Sequence, residues 1–392
     1  MLLSPGAVEE SSARGEEDLN ITSLLDMLGK LADPRKQRGK RHGLVFLLAC
    51  AVIAVLAGAS NYRQIASQAK DLPQSLLARL GARYSWFSRR YSAPSAATVR
   101  RVVQRIDAAA LDLLIGSWLF DRAQSEPAGV LAMAIDGKVL RGAWTENNDQ
   151  VTLFSAMIHD HAVTVAQVRV PDGTTETTQL AALLDQIPPA PQATVLITAD
   201  AAHTYHRSAE EITVRGFDYL LAVKDNQPRL HQRILNRFRP VVITPTAQVV
   251  QERSHGRITR WSTWMTDAAG IDFPYAAQLG CIRRDEFGLD ETAVSKEFTF
   301  YVTSSPAHQT GPAELHTYAR RHWGIENKSH YVRDVIWRED DHQAWAGNGP
   351  HALAALRNLA LGLFHLHGIH KIKEATEEIC RDRLRALPLL AT

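Results

Sequence analysis

Three acidic side chains in this sequence could together support metal-dependent chemistry on a phosphate ester. Asp136 and Asp200 each close a short apolar run typical of a buried strand, and Glu326 lies in a long polar stretch with helical spacing. Carboxylates that are far apart in sequence can converge at one edge of a sheet. Carboxylate oxygens are the ligands that Mg²⁺ prefers, and two such ions can activate an attacking oxygen and stabilise a leaving one. The three acids therefore predict a two-metal phosphoryl-transfer site.

The elements that must position these acids follow from the apolar pattern after residue 125. Short apolar or alternating runs predict strands, and longer amphipathic runs predict helices. In chain order the pattern predicts strands at 130–135, 151–158 and 162–170, a helix at 178–187, a strand at 194–198, a helix at about 206–215 and a strand at 218–223. This is the order of a ribonuclease-H-like fold, an α/β core with a mixed sheet flanked by helices. Asp136 and Asp200 fall on or just after its first and fourth strands.

The rest of the catalytic region completes a domain that we predict at residues 126–345. Strand-like runs at about 229–309 predict a β-rich insertion between the fifth strand and the next helix. Residues 346–392 are predicted to form C-terminal helices that pack on the core.

The helix after the insertion, from about residue 313 to 337, should carry Glu326. On a regular α-helix, residues three or four positions apart share a face. The side chains that should project within about 40° of one another on this helix are His322, Glu326, His330 and Arg333.

Positive charge is concentrated in one part of the chain. The formal net charge is +2, but residues 29–125 carry sixteen Lys or Arg residues against five Asp or Glu residues. A basic block beside an acid-bearing one predicts a module that binds a polyanion. The pattern is helical from residue 21 to about 122, so we predict an all-α, DNA-binding N-terminal domain at residues 21–125. A soluble helical domain with a basic surface would have the same composition.

One predicted helix in this domain is typical of a DNA-contacting helix-turn-helix. Ser95 is a candidate N-cap, and apolar residues from Val99 to Leu114 recur at helical spacing with arginines on the opposite face. An Arg-rich solvated face would account for the same spacing. The candidate DNA contacts in the domain are Arg100, Arg101 and Arg105 on this helix, and Arg35, Lys36, Arg38, Lys40 and Arg41 in an earlier basic cluster.

Three further features concern order and location. Residues 1–20 are acidic and polar without an apolar period, which predicts a disordered tail. The apolar run at 43–59 is shorter than the roughly 20 residues that a membrane-spanning helix needs, so we predict a buried core helix and no membrane association. The three cysteines are isolated, which argues against a disulfide framework or a structural zinc site and fits a reducing cytoplasm.

Several segments, in a fixed order over nearly the whole chain, resemble one known family. The most specific is Arg-His-Trp-Gly-Ile-Glu-Asn-Lys-Ser-His at 321–330, followed by Arg-Asp-Val at 333–335 and Glu-Asp at 339–340. The other matching segments are 33–42, 44–58, 62–65, 134–142, 198–204, 218–228, 255–258 and 356–361. In these segments the chain is similar to bacterial insertion-sequence transposases of the DDE class, in the H-repeat-associated branch, with that family's associated N-terminal domain.

The resemblance implies that Asp136, Asp200 and Glu326 bind two divalent cations, Mg²⁺ or alternatively Mn²⁺. Water would attack a phosphodiester at the end of the element, and the freed 3′ hydroxyl would attack target DNA. The implied partners are double-stranded DNA, as terminal inverted repeats and as target, and a second copy of the chain in the synaptic complex. The implied location is the bacterial cytoplasm, at the nucleoid. The additional DNA contacts expected near the acids are Lys138, Arg321, His322, Trp323, Asn327, His330 and Arg333.

Two other functions stay open on the sequence. A decayed or domesticated copy could bind DNA at related ends without cutting it. A ribonuclease-H-like nuclease could cleave DNA without strand transfer.

Overall fold

A computed structural model describes residues 21–38, 40–123, 129–239, 248–254, 256–343 and 345–391. The predicted tail at 1–20 and His255, within one of the family segments, lie outside the described residues.

The N-terminal region is helical, as predicted. Its helices are α1 (Thr22–Gly29), α2 (Leu44–Leu56), α3 (Tyr62–Lys70), α4 (Gln74–Arg79), α5 (Ala96–Val103) and α6 (Ala108–Ala123). Helix α2 is apolar on all sides and almost completely buried, which confirms the prediction of a core helix. Between α4 and α5, Tyr84–Ser85 pairs with Arg90–Tyr91 to form a small antiparallel hairpin.

The candidate DNA-binding helix is shorter than its apolar pattern predicted. The Ser95 hydroxyl caps the start of α5 by accepting a hydrogen bond from the Thr98 N–H at 3.3 Å, as expected. The pattern to Leu114 is wrong as one continuous helix, because α5 ends at Val103. The Asp107 carboxylate accepts a hydrogen bond from the Ala110 N–H at 3.0 Å and so starts a new helix, α6.

A nine-stranded mixed sheet forms the centre of the molecule. Its strands are β1 (Gly129–Trp144), β2 (Gln150–Ile158), β3 (Thr164–Val170), β4 (Ala193–Ala199), β5 (Asp218–Val223), β6 (Gln248–Ser254), β7 (Arg257–Asp267), β8 (Gln278–Gly288) and β9 (Ala293–Thr303). The spatial order is β3-β2-β1-β4-β5-β9-β8-β7-β6. Strands β1, β4 and β5 are mutually parallel, and β2 is antiparallel to both of its neighbours. The first five strands thus have the order and directions of a ribonuclease-H-like fold, which confirms the predicted fold class.

Short helices connect the parallel strands. A 3-10 turn, Glu176–Gln179, leads into α7 (Leu180–Leu184), and α8 (His206–Thr213) joins β4 to β5.

The insertion continues the central sheet, because β9 pairs antiparallel with β5. It also begins with a helix that the strand-like interpretation missed, α9 (Pro228–Phe238). Leu230, Ile234 and Phe238 recur every four residues and are buried, which is a helical period.

The chain after the insertion is helical over nearly the predicted range, from Pro312 to Ile336, but it is not one regular α-helix and is interrupted at Trp323. Helix α10 (Pro312–His322) is followed by two π-helical segments, Ile325–His330 and Val332–Ile336. A π-helix has i→i+5 hydrogen bonds, so side chains turn through a smaller angle per residue than on an α-helix. Of the residues predicted to share a face, His330 lies beside Asp136, whereas Arg333 is turned toward Glu339.

The C-terminal part is helical again. A 3-10 turn, Glu339–Asp341, is followed by α11 (Gly349–Leu366), α12 (Ile372–Arg381) and the short α13 (Leu387–Leu390). Helix α11 is buried along its whole length and packs on α2 and α6 as well as on the sheet. Among the helices that the structure describes, none has the length and apolarity to cross a bilayer.

The helical region and the sheet share one packed core. Gly116 in α6 lies directly on β3, where a Cβ atom would come within 2.1 Å of the Val165 carbonyl oxygen. The Leu119 side chain on the same helix packs against Gly362 of α11. Because these two glycines have no side chain, α6 can touch β3 at Gly116, and α6 can touch α11 at Gly362.

Candidate active site

Two of the predicted acids lie at the same level on neighbouring parallel strands. Ala134 of β1 pairs with Thr198 of β4, and Asp136 and Asp200 each lie two residues further on. Asp136 is inside β1, which continues beyond it, whereas Asp200 directly follows β4. Glu326 lies in the first π-helical segment.

Asp136 lies close enough to the other acids to be repelled by their charge. Burial raises the pKa of Asp136 to about 7, and repulsion from Glu176, Glu326 and Asp200 adds to this effect. The Gly137 N–H opposes the shift by donating a hydrogen bond to Asp136 at 2.9 Å. Asp136 is therefore the residue at which the charges of both other predicted acids are felt.

Glu176 is a fourth acid at this site, and the sequence interpretation missed it. It is the first residue of the 3-10 turn that follows β3. A Cβ atom at Gly137 would lie 1.7 Å from its carboxylate oxygen, so Gly137 makes room for it. The Nε2 atom of His203 lies 3.5 Å from its other oxygen. A glycine directly after a strand-borne Asp was the only signal in the sequence for such an approach.

The carboxylates are not gathered into one tight ligand set. Across the described residues, no three or more His, Cys, Asp or Glu side chains are placed so that they could hold a metal ion. Asp200 accepts a hydrogen bond from the Ala202 N–H at 2.9 Å, and so caps the turn that follows β4. The prediction that the three acids surround one metal site remains a prediction.

A buried layer of two histidines and a threonine lies behind the acids. The Thr198 hydroxyl is 2.9 Å from Nε2 of His159 and 3.1 Å from Nδ1 of His322. Burial lowers the pKa of His159 to about 3 and that of His322 to about 4, so both rings are neutral near pH 7. His322, predicted to contact DNA, is buried and lies within hydrogen-bonding distance of Thr198, and it also lines a cavity together with Asp200 and Trp323.

His330 is also largely buried and faces the acids. Its Nδ1 atom lies 3.5 Å from Oδ2 of Asp136. Burial lowers the pKa of His330 to about 3. A neutral ring at this position contacts the Asp136 carboxylate, whereas the sequence predicted a contact with DNA.

Two residues that were predicted to contact DNA are instead buried and form ion pairs inside the protein. Lys138 is buried beside Asp334, with which it forms an ion pair. Arg333 is 1% exposed and binds both oxygens of Glu339, at 2.7 and 3.0 Å. Both predictions fail because burying a charge requires a partner inside the protein, which uses the donors that DNA would need.

The remaining predicted contacts near the acids are on the surface. Trp323 is 47% exposed, and Asn327 and Arg321 are exposed as well, although Arg321 is paired with Asp160. Trp323 and Asp200 line a cavity of about 470 Å³, and Arg321 and Asn327 line a second one of about 500 Å³.

The two basic clusters of the N-terminal region meet in one groove. This cavity of about 580 Å³, which we call the basic groove, is lined by Arg35, Lys36, Arg38, Lys40, Arg41, Ser95, Thr98, Arg101 and Arg105, together with Pro34 and Val102. Arg100 lies outside it and lines another cavity.

Asp33 orders the loop that carries the first basic cluster. Its carboxylate accepts hydrogen bonds from Arg35 at 2.8 and 2.9 Å and lies 3.0 Å from Nζ of Lys40. The hydrogen bond from Arg35 holds the pKa of Asp33 well below its usual range. Arg35 also donates to the His42 carbonyl oxygen at 2.9 Å, which closes the loop.

Two family models match the chain, one in the helical N-terminal region and one across the sheet. Residues 25–119 match the family described as DDE_Tnp_1-associated. Residues 131–363 match the family described as Transposase DDE domain.

Curated proteins with similar sequences extend over most of the chain. "Putative transposase YncI" of Escherichia coli O157:H7 is 28% identical over 361 residues, which is 88% of each chain. "H repeat-associated putative transposase YhhI" of Escherichia coli (strain K12) is 25% identical and covers 88% of this chain and 91% of its own. A solved structure of the piggyBac transposase synaptic complex with hairpin DNA gives a TM-score of 0.42 at 10% identity, over 96% of this chain and 78% of that one.

Proposed function

Since the chain belongs to the family of transposase DDE domains, we propose that it is the transposase of a bacterial insertion sequence. It cuts DNA at the ends of its element and joins those ends to target DNA. Asp136, Asp200 and Glu326 would hold the metal ions that this chemistry needs.

One observation carries the assignment of the site: Asp136 lies among other acids, and the side chain that contacts it is a histidine and not a Lys or Arg. Asp136 is surrounded by the negative charges of Glu176, Glu326 and Asp200. Within the part of the chain that the structure describes, no Lys or Arg forms an ion pair with Asp136. Hard oxygen donors with excess negative charge fit Mg²⁺, or Mn²⁺ in its place, better than they fit a softer metal.

When bound, two such ions would lower the pKa of an attacking water and stabilise the charge on the leaving oxygen. The protein's own part is to fix the oxygens. Asp136 and Asp200 are held at one level by the β1–β4 pairing, and Glu326 approaches from the π-helical segment. His330 lies against Asp136 and limits its rotation.

The bonds that change are those of the DNA. Water attacks phosphorus at the element end and the 3′ oxygen leaves, taking up a proton to become a hydroxyl. That hydroxyl then attacks a target phosphodiester, displaces the 3′ oxygen of the target strand and loses its proton. One phosphodiester bond is broken for each that forms in this second step.

The N-terminal helices would hold the element ends. The basic groove presents cations from two segments, which suits neutralisation of DNA phosphates. We assign residues 21–125 to DNA binding, 126–345 to catalysis and 346–392 to support of both. Two ends must be joined, so we propose a homodimer acting at the nucleoid in the cytoplasm.

The test replaces Glu326 by Gln, which keeps the shape of the side chain and removes its charge. Loss of a metal ligand should cost about 4 kcal/mol of transition-state stabilisation, or roughly a thousandfold in rate. Cleavage of a plasmid carrying the flanking DNA of the gene is measured in Mg²⁺, with end binding measured by gel shift. Glu146→Gln, an exposed acid, is the control and should cut normally.

Binding should be unchanged in the Glu326→Gln protein. Normal cutting by this variant would remove Glu326 from the ligand set. If the unaltered protein cuts the DNA but never joins the cut ends to target DNA, it is instead a nuclease without strand transfer.

A further inference from the structure

The hairpin between α4 and α5 carries two large aromatic side chains at an exposed tip. Its strands are Tyr84–Ser85 and Arg90–Tyr91. At the tip, Trp86 is 84% exposed and Phe87 is 105% exposed. Two adjacent apolar rings held in water are unfavourable for an isolated protein and mark a surface that binds something.

The hairpin is held firmly in place. The Tyr84 ring packs edge-on against Trp86 and Tyr91, with centroids 5.1 Å apart in both cases. The Gln74 side chain from α4 accepts from the Tyr91 N–H at 2.7 Å and donates to its carbonyl at 3.4 Å. Arg89 adopts φ 50° and thereby closes the turn. The aromatic tip is thus presented in a fixed direction.

The base of the hairpin adjoins the basic groove. Burial lowers the pKa of His42, and Arg41, Arg35 and Arg83 lower it further. This effect agrees with the path of the chain, because Tyr91 ends the hairpin only four residues before Ser95, which lines the groove. Ser92 donates to the Arg83 carbonyl at 3.1 Å, which fixes the hairpin base next to α5.

The charge around the tip selects the kind of partner. Residues 72–106 contain seven arginines and no Asp or Glu. Arg89 and Arg90 at the tip are both exposed. Two identical copies that met through this surface would bring like charges together, because a two-fold interface places the same patch on both sides. A polyanion is the complementary partner.

We propose that the hairpin tip enters the minor groove of DNA bound in the basic groove, with Trp86 and Phe87 wedged at one base step. Arg89 and Arg90 contact the phosphates on either side. Apolar side chains that enter the minor groove partly unstack a step and bend the duplex. The inference rests on the proposed function, because it requires the chain to bind duplex DNA.

A consequence is sequence preference without hydrogen bonds to bases. Pyrimidine–purine steps unstack more easily than others, so the step beneath Phe87 should be of this kind.

The experiment uses the full-length protein and 40-base-pair duplexes from the DNA that flanks its gene. Permanganate oxidises thymines that are unstacked. It therefore shows which base step the aromatic side chains have opened, at any position in the duplex. The unaltered protein should make one or two thymines reactive inside its footprint. Two variants are compared with it: the single change Phe87→Ala, and the double change Trp86→Ala with Phe87→Ala. Both should lose the thymine reactivity and bind DNA about tenfold more weakly. The salt dependence of binding should be unchanged, since neither variant removes a phosphate contact.

The double change Arg89→Ala with Arg90→Ala separates the charge contacts from the wedge. It should lower the slope of log K against log salt by about 2, because two phosphate contacts are lost. Tyr275→Ser, an exposed aromatic residue in the loop between β7 and β8, is the control and should change neither measurement.

Unchanged affinity and unchanged permanganate reactivity in the Trp86→Ala, Phe87→Ala protein would overturn the wedge while leaving the proposed function standing. A shift of that protein from dimer to monomer, with reactivity retained, would instead identify the tip as a contact between copies. Failure of the unaltered protein to bind any flanking duplex would overturn the wedge and the proposed function together.

Discussion

Two regions meet at the π-helical segments after α10, and they differ in whether their acidic side chains have basic partners. On one side, Glu326 and Asp136 lie among other acids. On the other, Glu339 is buried between Arg333 and Arg357, each within 2.7 Å of one of its oxygens. Burial alone would raise the pKa of Glu339, but these two arginines hold it at about 2.

The paired region extends as a network across the core. Its members are Arg333, Glu339, Arg357, Asn358, Gln167, Asp112 and His351, which come from the segment after α10, from α11, from β3 and from α6. Every carboxylate in this set accepts a hydrogen bond from a side chain. In the unpaired region, Asp136 accepts its hydrogen bond from a backbone N–H.

The difference teaches that pairing, rather than burial, distinguishes structural charge from functional charge here. A satisfied charge holds helices to the sheet and has no donor or acceptor left for a ligand. An unsatisfied cluster costs stability and is retained for what it binds. Removing one charge should therefore have opposite effects on stability in the two regions.

The largest effect is expected in the paired region. Glu339→Gln leaves two buried arginines facing each other and should lower the free energy of unfolding by about 3–5 kcal/mol. Urea unfolding followed by circular dichroism measures the change. Glu374→Gln, which breaks an exposed pair with Lys371, should cost less than about 1 kcal/mol. Equal midpoints for the two variants would show that the network is not what holds α11 in place.

A smaller effect of opposite sign is expected in the unpaired region. The pKa of Asp136 is raised from 3.8 to about 7, so its destabilising effect is absent below pH 4 and complete above pH 7. Asp136→Asn should therefore stabilise the protein by about 1–2 kcal/mol at pH 8 in EDTA, a figure reduced for the partial exposure of the carboxylate. Thermal unfolding between pH 4 and 8 measures it.

The unaltered protein should lose stability relative to this variant as the pH rises from 4 to 7, and added Mg²⁺ should reverse that loss only when Asp136 is present. Asp149→Asn, an exposed residue, should show neither effect. A variant that is less stable than the unaltered protein at pH 8 would place Asp136 among the paired charges.

The smallest effect concerns the ion pairs at the surface. Asp33→Asn removes a negative charge beside the proposed DNA-binding surface, which by charge alone should tighten binding. Because Asp33 holds Arg35 and Lys40 in position, we expect it to weaken DNA binding by about fivefold, or about 1 kcal/mol. Gel shifts at 0.15 M salt test this, with Asp71→Asn, an exposed acid in the same region, as control. Tighter binding by Asp33→Asn would show that the loop needs no such support.

Sequence patterns predicted those features that depend on local periodicity. The apolar runs located β1 and β4, and through them the shared level of Asp136 and Asp200. The period of α9 was present in Leu230, Ile234 and Phe238 but was missed.

Features that depend on contacts between distant segments could not be predicted in this way. Glu176 joins the acids only because Gly137 leaves space for it. Arg333 turns inward only because the helix widens after α10 and Glu339 meets it there. Neither arrangement has a signature in the spacing of one segment, since each is decided by a partner elsewhere in the chain.

The direct packing of Gly116 on the Val165 main chain fixes the distance between the helical region and the sheet. In the function that we propose, the helical region binds the element end and the sheet carries the cutting site. Because the two are packed directly together, the number of base pairs between the bound sequence and the cut bond would be set by the dimensions of the protein. One extra base pair would rotate that bond by about 35° around the duplex. An insertion sequence that used this protein could therefore change the base sequence of its ends, but not the number of base pairs between the bound sequence and the cut bond.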